Sequence, residues 1–142
     1  MLIPALADYA DWGLLALRTA VGIIFIVHGW PKLTQAPTLG PGFAKMVRLS
    51  PGAGTVWMLV QGAVEVGGGA LLIGGILTQL VALAFMVIMV GAISFKVVLW
   101  KTGFMAQQTT GWEFDFVLLA ASFVLLLAGP GSIAIMPSGG LA

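Results

Sequence analysis

The residues of this sequence that could exchange protons or hold ions are few, and they are set in a chain that is otherwise apolar. The candidates for a ligand site or a proton relay are Arg18, His28, Lys32, Glu65, Lys96 and Glu113. Carboxyl, imidazole and ammonium groups can exchange protons with a bound ligand, or they can hold one another in ion pairs. The catalytic residues, if any, stay unassigned at this stage.

Glu65 is the deepest of these charges. It lies about nine residues into an apolar stretch at about 56–77, roughly 14 Å from the nearer end at 1.5 Å per residue. A charge near the bilayer centre costs about 2.5 kcal/mol or more, so this carboxyl group requires either a partner or a proton. That requirement makes it a functional candidate. The competing interpretation is that it only ties helices together, with Arg18, His28 or Lys96 as partner.

His28 is the only histidine. Because an imidazole exchanges protons near neutral pH, His28 could donate a proton to a quinone carbonyl at the membrane interface, or accept one. A single histidine makes a poor metal site. Glu65 and Glu113 could complete three ligands, but the chain has no cysteine and no second histidine, so no metal is predicted.

The end of the chain's third apolar stretch and the start of its fourth bring further charges together. Lys96 and Glu113 are predicted to face each other there, more as a structural ion pair than as a ligand site. Asp115 is interpreted as a cap of the last helix, because the helix dipole favours an acid near the N-terminus.

The composition defines the class of protein that positions these groups. The chain has 142 residues, of which 60% are hydrophobic and 8% charged, and its mean hydropathy is +1.10. Soluble domains carry about 25% charged residues, so an integral membrane protein of one domain, residues 1–142, is predicted. The net charge of +1 is scattered, which excludes a nucleic-acid partner. The absence of cysteine excludes thiol chemistry, iron–sulfur ligation and disulfides.

Four apolar stretches, at about 13–30, 56–77, 79–100 and 113–129, are each long enough to cross a bilayer as a helix. Their continuous apolar character argues against a β-barrel, whose strands alternate. The fold class is therefore an all-α membrane protein, a four-transmembrane-helix bundle. Residues 31–55 are rich in proline and are predicted to form a long first loop, with an amphipathic turn or two at 43–49. The tail beyond 131 is predicted to be loosely ordered.

If the side of the membrane where the chain begins is called side A, the first and third helices run from A to B. Tryptophans then mark the side B end of every helix, as in an interfacial aromatic belt: Trp30, Trp57, Trp100 and Trp112. Basic residues are also more numerous on side B. The positive-inside rule therefore places the loops 31–55 and 101–112 in the cytoplasm of a multi-pass cell-membrane protein.

Small residues predict how the helices pack. In the second helix, Ala63, Gly67, Ala70 and Gly74 recur every three or four residues and are predicted to form a helix-packing face. A comparable stripe in the first helix runs through Arg18, Gly22, Phe25, Gly29 and Lys32. Its polar ends are predicted to face the bundle.

Several motifs, in order, resemble the DoxX family over about residues 14–135. The first helix ends with the string Leu17-Arg18-x3-Gly22-x2-Phe25-x2-His28-Gly29-x2-Lys32, and the second contains Glu65-x-Gly67-Gly68. Downstream pieces are Gly74-x2-Leu77-Thr78, Gly103-Phe104, Trp112-Glu113-Phe114 and Gly129-Pro130-Gly131.

The resemblance implies a four-helix membrane protein. The family takes its name from a subunit associated with a membrane thiosulfate:quinone oxidoreductase, and many members have no assigned chemistry. This sequence departs from the common pattern where Lys96 replaces a frequent histidine and Trp112 replaces a frequent tyrosine. Those differences bear on any shared catalytic role.

Two hypotheses of function follow. In the first, a small membrane subunit builds part of a quinone or other lipophilic-ligand site beside a redox partner, using His28, Glu65 and Glu113; its only cofactor would be the quinone, bound without a covalent link. In the second, a purely structural subunit docks a larger membrane complex. A small-solute transporter is disfavoured because the chain is short and lacks evident inverted repeats. The predicted partners are membrane lipids and other membrane subunits, or copies of the same chain.

Overall fold

In the computed structural model, residues 4–106 and 111–137 are described, and their regular structure is entirely helical. A 3₁₀ turn at Pro4–Tyr9 leads into the first long helix, and a π-helical turn at Phe95–Leu99 extends the fourth. The helices are α1 (Ala10–Thr34), α2 (Ala36–Val47), α3 (Pro51–Gly74), α4 (Thr78–Ser94) and α5 (Glu113–Ala128). Each of the four predicted spans corresponds to a helix, so the all-α prediction is confirmed.

Among the described residues, three helical segments are long and apolar enough to cross a membrane: Leu6–Thr34, Pro51–Gly74 and Thr78–Leu99. The fourth predicted span, α5, has 16 residues and is shorter than these. The described structure therefore supports a helical membrane protein with three such helices, and the count of four remains a prediction.

The predicted long first loop is instead largely helical. Helix α1 continues through Pro31 to Thr34, and α2 follows after a break at Gln35. Pro37 lies in the first turn of α2, where a missing N–H leaves no helical bond unmade. Close packing against α3 stabilises the remainder of α2, since a Cβ added to Gly40 would lie 2.4 Å from the backbone nitrogen of Thr55 in α3.

The long helices form a bundle in which α1 packs against α3 and α5, and α4 packs against the same two helices. Phe25 of α1 and Phe85 of α4 stack across the core with ring centroids 3.6 Å apart. Buried Val21, Leu72 and Leu125 surround them. The C-terminal ends of α1 and α4 and the N-terminal ends of α3 and α5 define side B of this bundle.

The packing face of α3 differs from the predicted stripe. A Cβ on Gly69 would lie 2.6 Å from the carbonyl oxygen of Gly22, and one on Gly29 would lie 3.1 Å from that of Gly62, so two glycine pairs bring α1 and α3 together. Gly67, by contrast, has nothing within 4 Å of its Cβ position. The predicted face Ala63, Gly67, Ala70 and Gly74 was therefore wrong by about a third of a turn, whereas the α1 stripe packs inward as predicted.

The segment after α5 is ordered against side A, contrary to the sequence prediction. The backbone N–H of Ile135 donates to the carbonyl of Gly74 at 2.9 Å. Arg18 donates to the carbonyls of Pro130 and Ile133, and Ser132 donates to Asp11. This clasp closes the side A end of α1 and α3. The predicted loose tail at 138–142 lies outside the described residues.

Candidate functional site

Glu65 lies inside the bundle and forms an ion pair with Lys32. Its side chain is 2% exposed, and the ammonium of Lys32 donates to Oε1 at 2.6 Å and to Oε2 at 2.5 Å. Lys32 comes from the last turn of α1, and the antiparallel packing of α1 on α3 lets its long side chain reach the carboxylate. The predicted partners Arg18, His28 and Lys96 were wrong. The polar lysine end of the α1 stripe supplies the partner instead.

A polar ladder along α3 supports the carboxylate. Gln61 donates to Glu65 Oε1 at 3.0 Å, and Trp57 donates to Gln61 Oε1 at 2.9 Å. These residues are spaced by four, so they share one face of the helix. The ladder runs from the half-exposed indole to the buried carboxylate, which thereby accepts three hydrogen bonds. Both oxygens of Glu65 therefore have a donor. The spacing of four residues in the sequence was the signal that would have identified Gln61.

A second ion pair joins the end of α4 to the start of α5. Lys96 Nζ lies 2.6 Å from Asp115 Oδ2, and the two side chains are 13% and 10% exposed. The ammonium also donates to the carbonyl of Gly111 at 3.1 Å. The predicted pairing of Lys96 with Glu113 was wrong, because the first turn of α5 directs Asp115 rather than Glu113 toward α4. Asp115 is an ion-pair partner and makes no side-chain cap.

His28 lies at the junction of α1 and α5 on side B. Its ring centroid is 5.9 Å from that of Phe114, and Nδ1 is 2.9 Å from the carbonyl oxygen of Ile24. Because a carbonyl only accepts, Nδ1 carries the hydrogen, and a neutral ring then has Nε2 as an acceptor. The residue is exposed at the surface of the bundle.

Glu113 begins α5, next to the phenylalanine that faces His28. Its Oε2 is buried and has no hydrogen-bond partner among the described residues. The backbone around it is tight, since Gly111 would have no room for a Cβ beside this oxygen. A buried carboxyl oxygen without a partner is costly, so this group retains the capacity to accept a bond.

Arg18 is separate from these groups. It lies on α1 fourteen residues before Lys32, about 21 Å away along the helix, and it is buried in the side A clasp. The structure therefore places four of the six candidates (His28, Lys32, Lys96 and Glu113) near side B, Glu65 deeper inside the bundle, and Arg18 at the opposite end. No group of three His, Cys, Asp or Glu side chains arranged to hold a metal occurs in the described parts of the chain.

Comparisons with known proteins agree with this architecture. The family profile of DoxX matches residues 13–101. "Putative oxidoreductase CatD" of Bacillus subtilis is 34% identical over 125 residues, which cover 88% of this chain and 85% of that protein. "Uncharacterized membrane protein Rv3486" of Mycobacterium tuberculosis is 30% identical over 124 residues, 82% of this chain and 75% of that protein. No solved structure matches the chain significantly.

The matched region contains the two glycine contacts between α1 and α3, the Lys32–Glu65 pair and the lysine of the second ion pair. The resemblance of the sequence motifs and the helical membrane architecture lead to the same assignment. This chain is a membrane protein of the DoxX family.

Proposed function

We propose that this protein is a small subunit of a membrane oxidoreductase and that it forms part of a binding site for a quinone or a similar lipophilic ligand. The observation that carries the proposal is the position of His28, an exposed residue whose imidazole lies at the α1–α5 junction beside Phe114 and uses Nδ1 within its own helix. A relative carries the word oxidoreductase in its name, which supports the redox context.

The distribution of contacts selects His28 and Glu113 among the candidate groups. Glu65 accepts three hydrogen bonds, and Lys32 and Lys96 are held in ion pairs, so none of these groups has to change partners to satisfy its charge. Among the described residues, His28 Nε2 and Glu113 Oε2 have no hydrogen-bond partner. In the proposed site, the imidazole binds a ligand oxygen and exchanges a proton with it. The flat face of Phe114 contacts the ligand ring.

The same contacts favour a second candidate function. Two buried ion pairs join α1 to α3 and α4 to α5, as a subunit whose task is purely structural would require. Such a subunit would dock a larger complex and bind no ligand.

The proposed topology has four spans in the cell membrane. Helix α5 extends about 24 Å for its 16 residues, and it packs along α4 with Leu118, Ser122 and Leu125 buried. A slightly short span is accommodated by local thinning of the bilayer or by the flanking residues. We propose that side B is cytoplasmic, because its exposed cations outnumber those of side A.

Because the native chain has no cysteine, orientation is directly testable. Ser50→Cys on side B and Asp8→Cys on side A are matched probes in exposed positions. In intact cells, a membrane-impermeant maleimide should label only the side A probe. Labelling of the side B probe instead would reverse the topology.

The function is tested by purifying the protein from its native membrane in mild detergent and measuring bound quinone by chromatography. The proposal expects quinone together with a flavoprotein or cytochrome, and loss of the quinone in His28→Leu. Trp30→Phe is the matched control, since it changes another exposed ring on α1. Co-purification of a partner protein without bound quinone would favour the purely structural function. A stable monomer with neither would refute the proposed function.

A further inference from the structure

The exposed cations of this protein are concentrated in one region of side B. Lys45 lies in the last turn of α2, Arg48 is the residue that ends this helix, and Lys101 follows the end of the π-helical turn. All three side chains are exposed. Met46 and Trp100, the chain neighbours of the two lysines, are in contact at 3.3 Å between Sδ and Nε1. This contact brings the end of α2 next to the segment that follows the π-helical turn. The three exposed cations of these adjacent segments are called here the basic patch (Lys45, Arg48 and Lys101).

Within residues 4–106 and 111–137, no carboxylate side chain forms an ion pair with this patch. The chain has only five acidic side chains, and Asp8 and Asp11 belong to side A. Glu65 and Asp115 are buried in ion pairs with other lysines. Glu113 has one carboxyl oxygen buried beside Gly111. The patch therefore carries an unbalanced positive charge, and the complementary partner is anionic.

Backbone conformation gives an independent indication that these cations have a role outside the fold. Arg48 has φ of 58° and Lys101 has φ of 50°, both in the left-handed region that favours glycine. Helices commonly end with glycine at such a position. The protein instead has a long cationic side chain at both sites, although neither forms an ion pair in the described structure.

The neighbouring aromatic residues indicate how deep the basic patch lies in the membrane. Trp57 and Trp100 are each about half-exposed at the same end of the bundle, where indole rings settle at the headgroup level of a bilayer. Phe43 stacks on Trp57 and so attaches α2 to this level, with ring centroids 5.9 Å apart. Cations beside an interfacial tryptophan are positioned to meet phosphate groups of the lipid.

We propose that the basic patch is a binding surface for the headgroups of anionic phospholipids, with Arg48 and Lys101 contacting the phosphate. The inference rests on the embedding of the bundle in a membrane and does not require the proposed quinone site. A phospholipid is favoured over an acidic protein because the patch is bordered by half-exposed tryptophans and by exposed Met46 and Leu49, which suit the boundary between headgroups and acyl chains.

The test compares the full chain with the variant Arg48→Gly/Lys101→Gly. Glycine removes both cations and suits both backbone conformations, so the variant should fold at least as stably as the original protein. Leu77→Gly is the matched control, because Leu77 is also exposed and left-handed, with φ of 50°, but carries no charge. Dioleoyl phosphatidylglycerol and dioleoyl phosphatidylcholine, which have the same acyl chains, are titrated separately into the purified protein. Binding is measured by native mass spectrometry.

The original protein and Leu77→Gly are expected to prefer phosphatidylglycerol. Each cation removed should lower that preference about fivefold, the equivalent of about 1 kcal/mol for a Lys or Arg near an anionic surface. The double variant should thus lose about 25-fold of the preference, with the share of Lys45 retained, while its melting temperature is maintained. An unchanged preference in the double variant would overturn the proposal. Loss of a co-purifying subunit at unchanged lipid preference would also overturn it, because the patch would then bind an acidic protein surface.

Discussion

Removal of one partner from the Lys32–Glu65 pair should affect stability asymmetrically. Lys32→Met removes two of the three hydrogen bonds to a carboxylate whose side chain is 2% exposed. The remaining bond, from Gln61, does not neutralise the charge. Breaking a buried pair in this way typically costs about 3 to 5 kcal/mol, and that is the expected loss in the free energy of unfolding.

Glu65→Gln should cost less, about 1 to 2 kcal/mol. The new side chain has nearly the same shape, and the lysine left behind is 23% exposed, so its ammonium can move toward water. The double variant Lys32→Met/Glu65→Gln contains no unpaired buried charge at this position. It should therefore be more stable than Lys32→Met alone, which is a coupling that independent sites do not show.

The assay is unfolding of the full chain in mixed micelles with increasing dodecyl sulfate, followed by circular dichroism. Lys45→Met is the control, since this exposed lysine should change stability by no more than about 0.5 kcal/mol. A double variant less stable than Lys32→Met would refute the reasoning, because the cost would then come from lost packing and not from an unpaired carboxylate.

Three further outcomes are expected. Gly69→Ala should destabilise the protein by about 1 to 3 kcal/mol, because its Cβ would collide with the backbone of α1, whereas Gly67→Ala should be neutral in the same unfolding assay; equal effects would contradict the described packing face. Asp115→Asn should destabilise the protein more than Glu113→Gln, since only Asp115→Asn leaves the ammonium of Lys96 without its carboxylate partner. The reverse order of melting temperatures would count against that pairing. Arg18→Met should release the clasp, seen as faster amide exchange at 131–136 with little change in α4; unaltered exchange would show that the tail is held by other contacts.

The helices of the bundle followed directly from hydropathy, because an apolar run long enough to cross a bilayer must satisfy its backbone bonds within a helix. The loop between α1 and α3 did not follow. Proline argues against helix only where its missing N–H and its ring matter, and at Pro37 they do not. Helix α2 exists because Gly40 and Ala44 allow a close contact with α3, and that contact is between segments distant from each other in an unfolded chain.

The candidate site, too, was predicted from the sequence only in part. Residue type alone was enough to single out Glu65, because a carboxylate in an apolar span requires compensation. Its partner could not be identified, since Arg18, Lys32 and Lys96 were all cations within reach of some helix arrangement. The choice depended on the register of α1 against α3, which the close approach of Gly22 to Gly69 sets.

The sequence by itself thus determined that the chain is helical and embedded in a membrane, and that ionisable groups collect toward one side, because composition and the 1.5 Å rise per residue fix both. Only the tertiary structure decided which cation meets which carboxylate and that Arg18 closes the opposite end. The reason is that a helix face is set by rotation about its axis. A shift of one residue turns that face by about 100°, and only contact with neighbouring helices selects among such rotations.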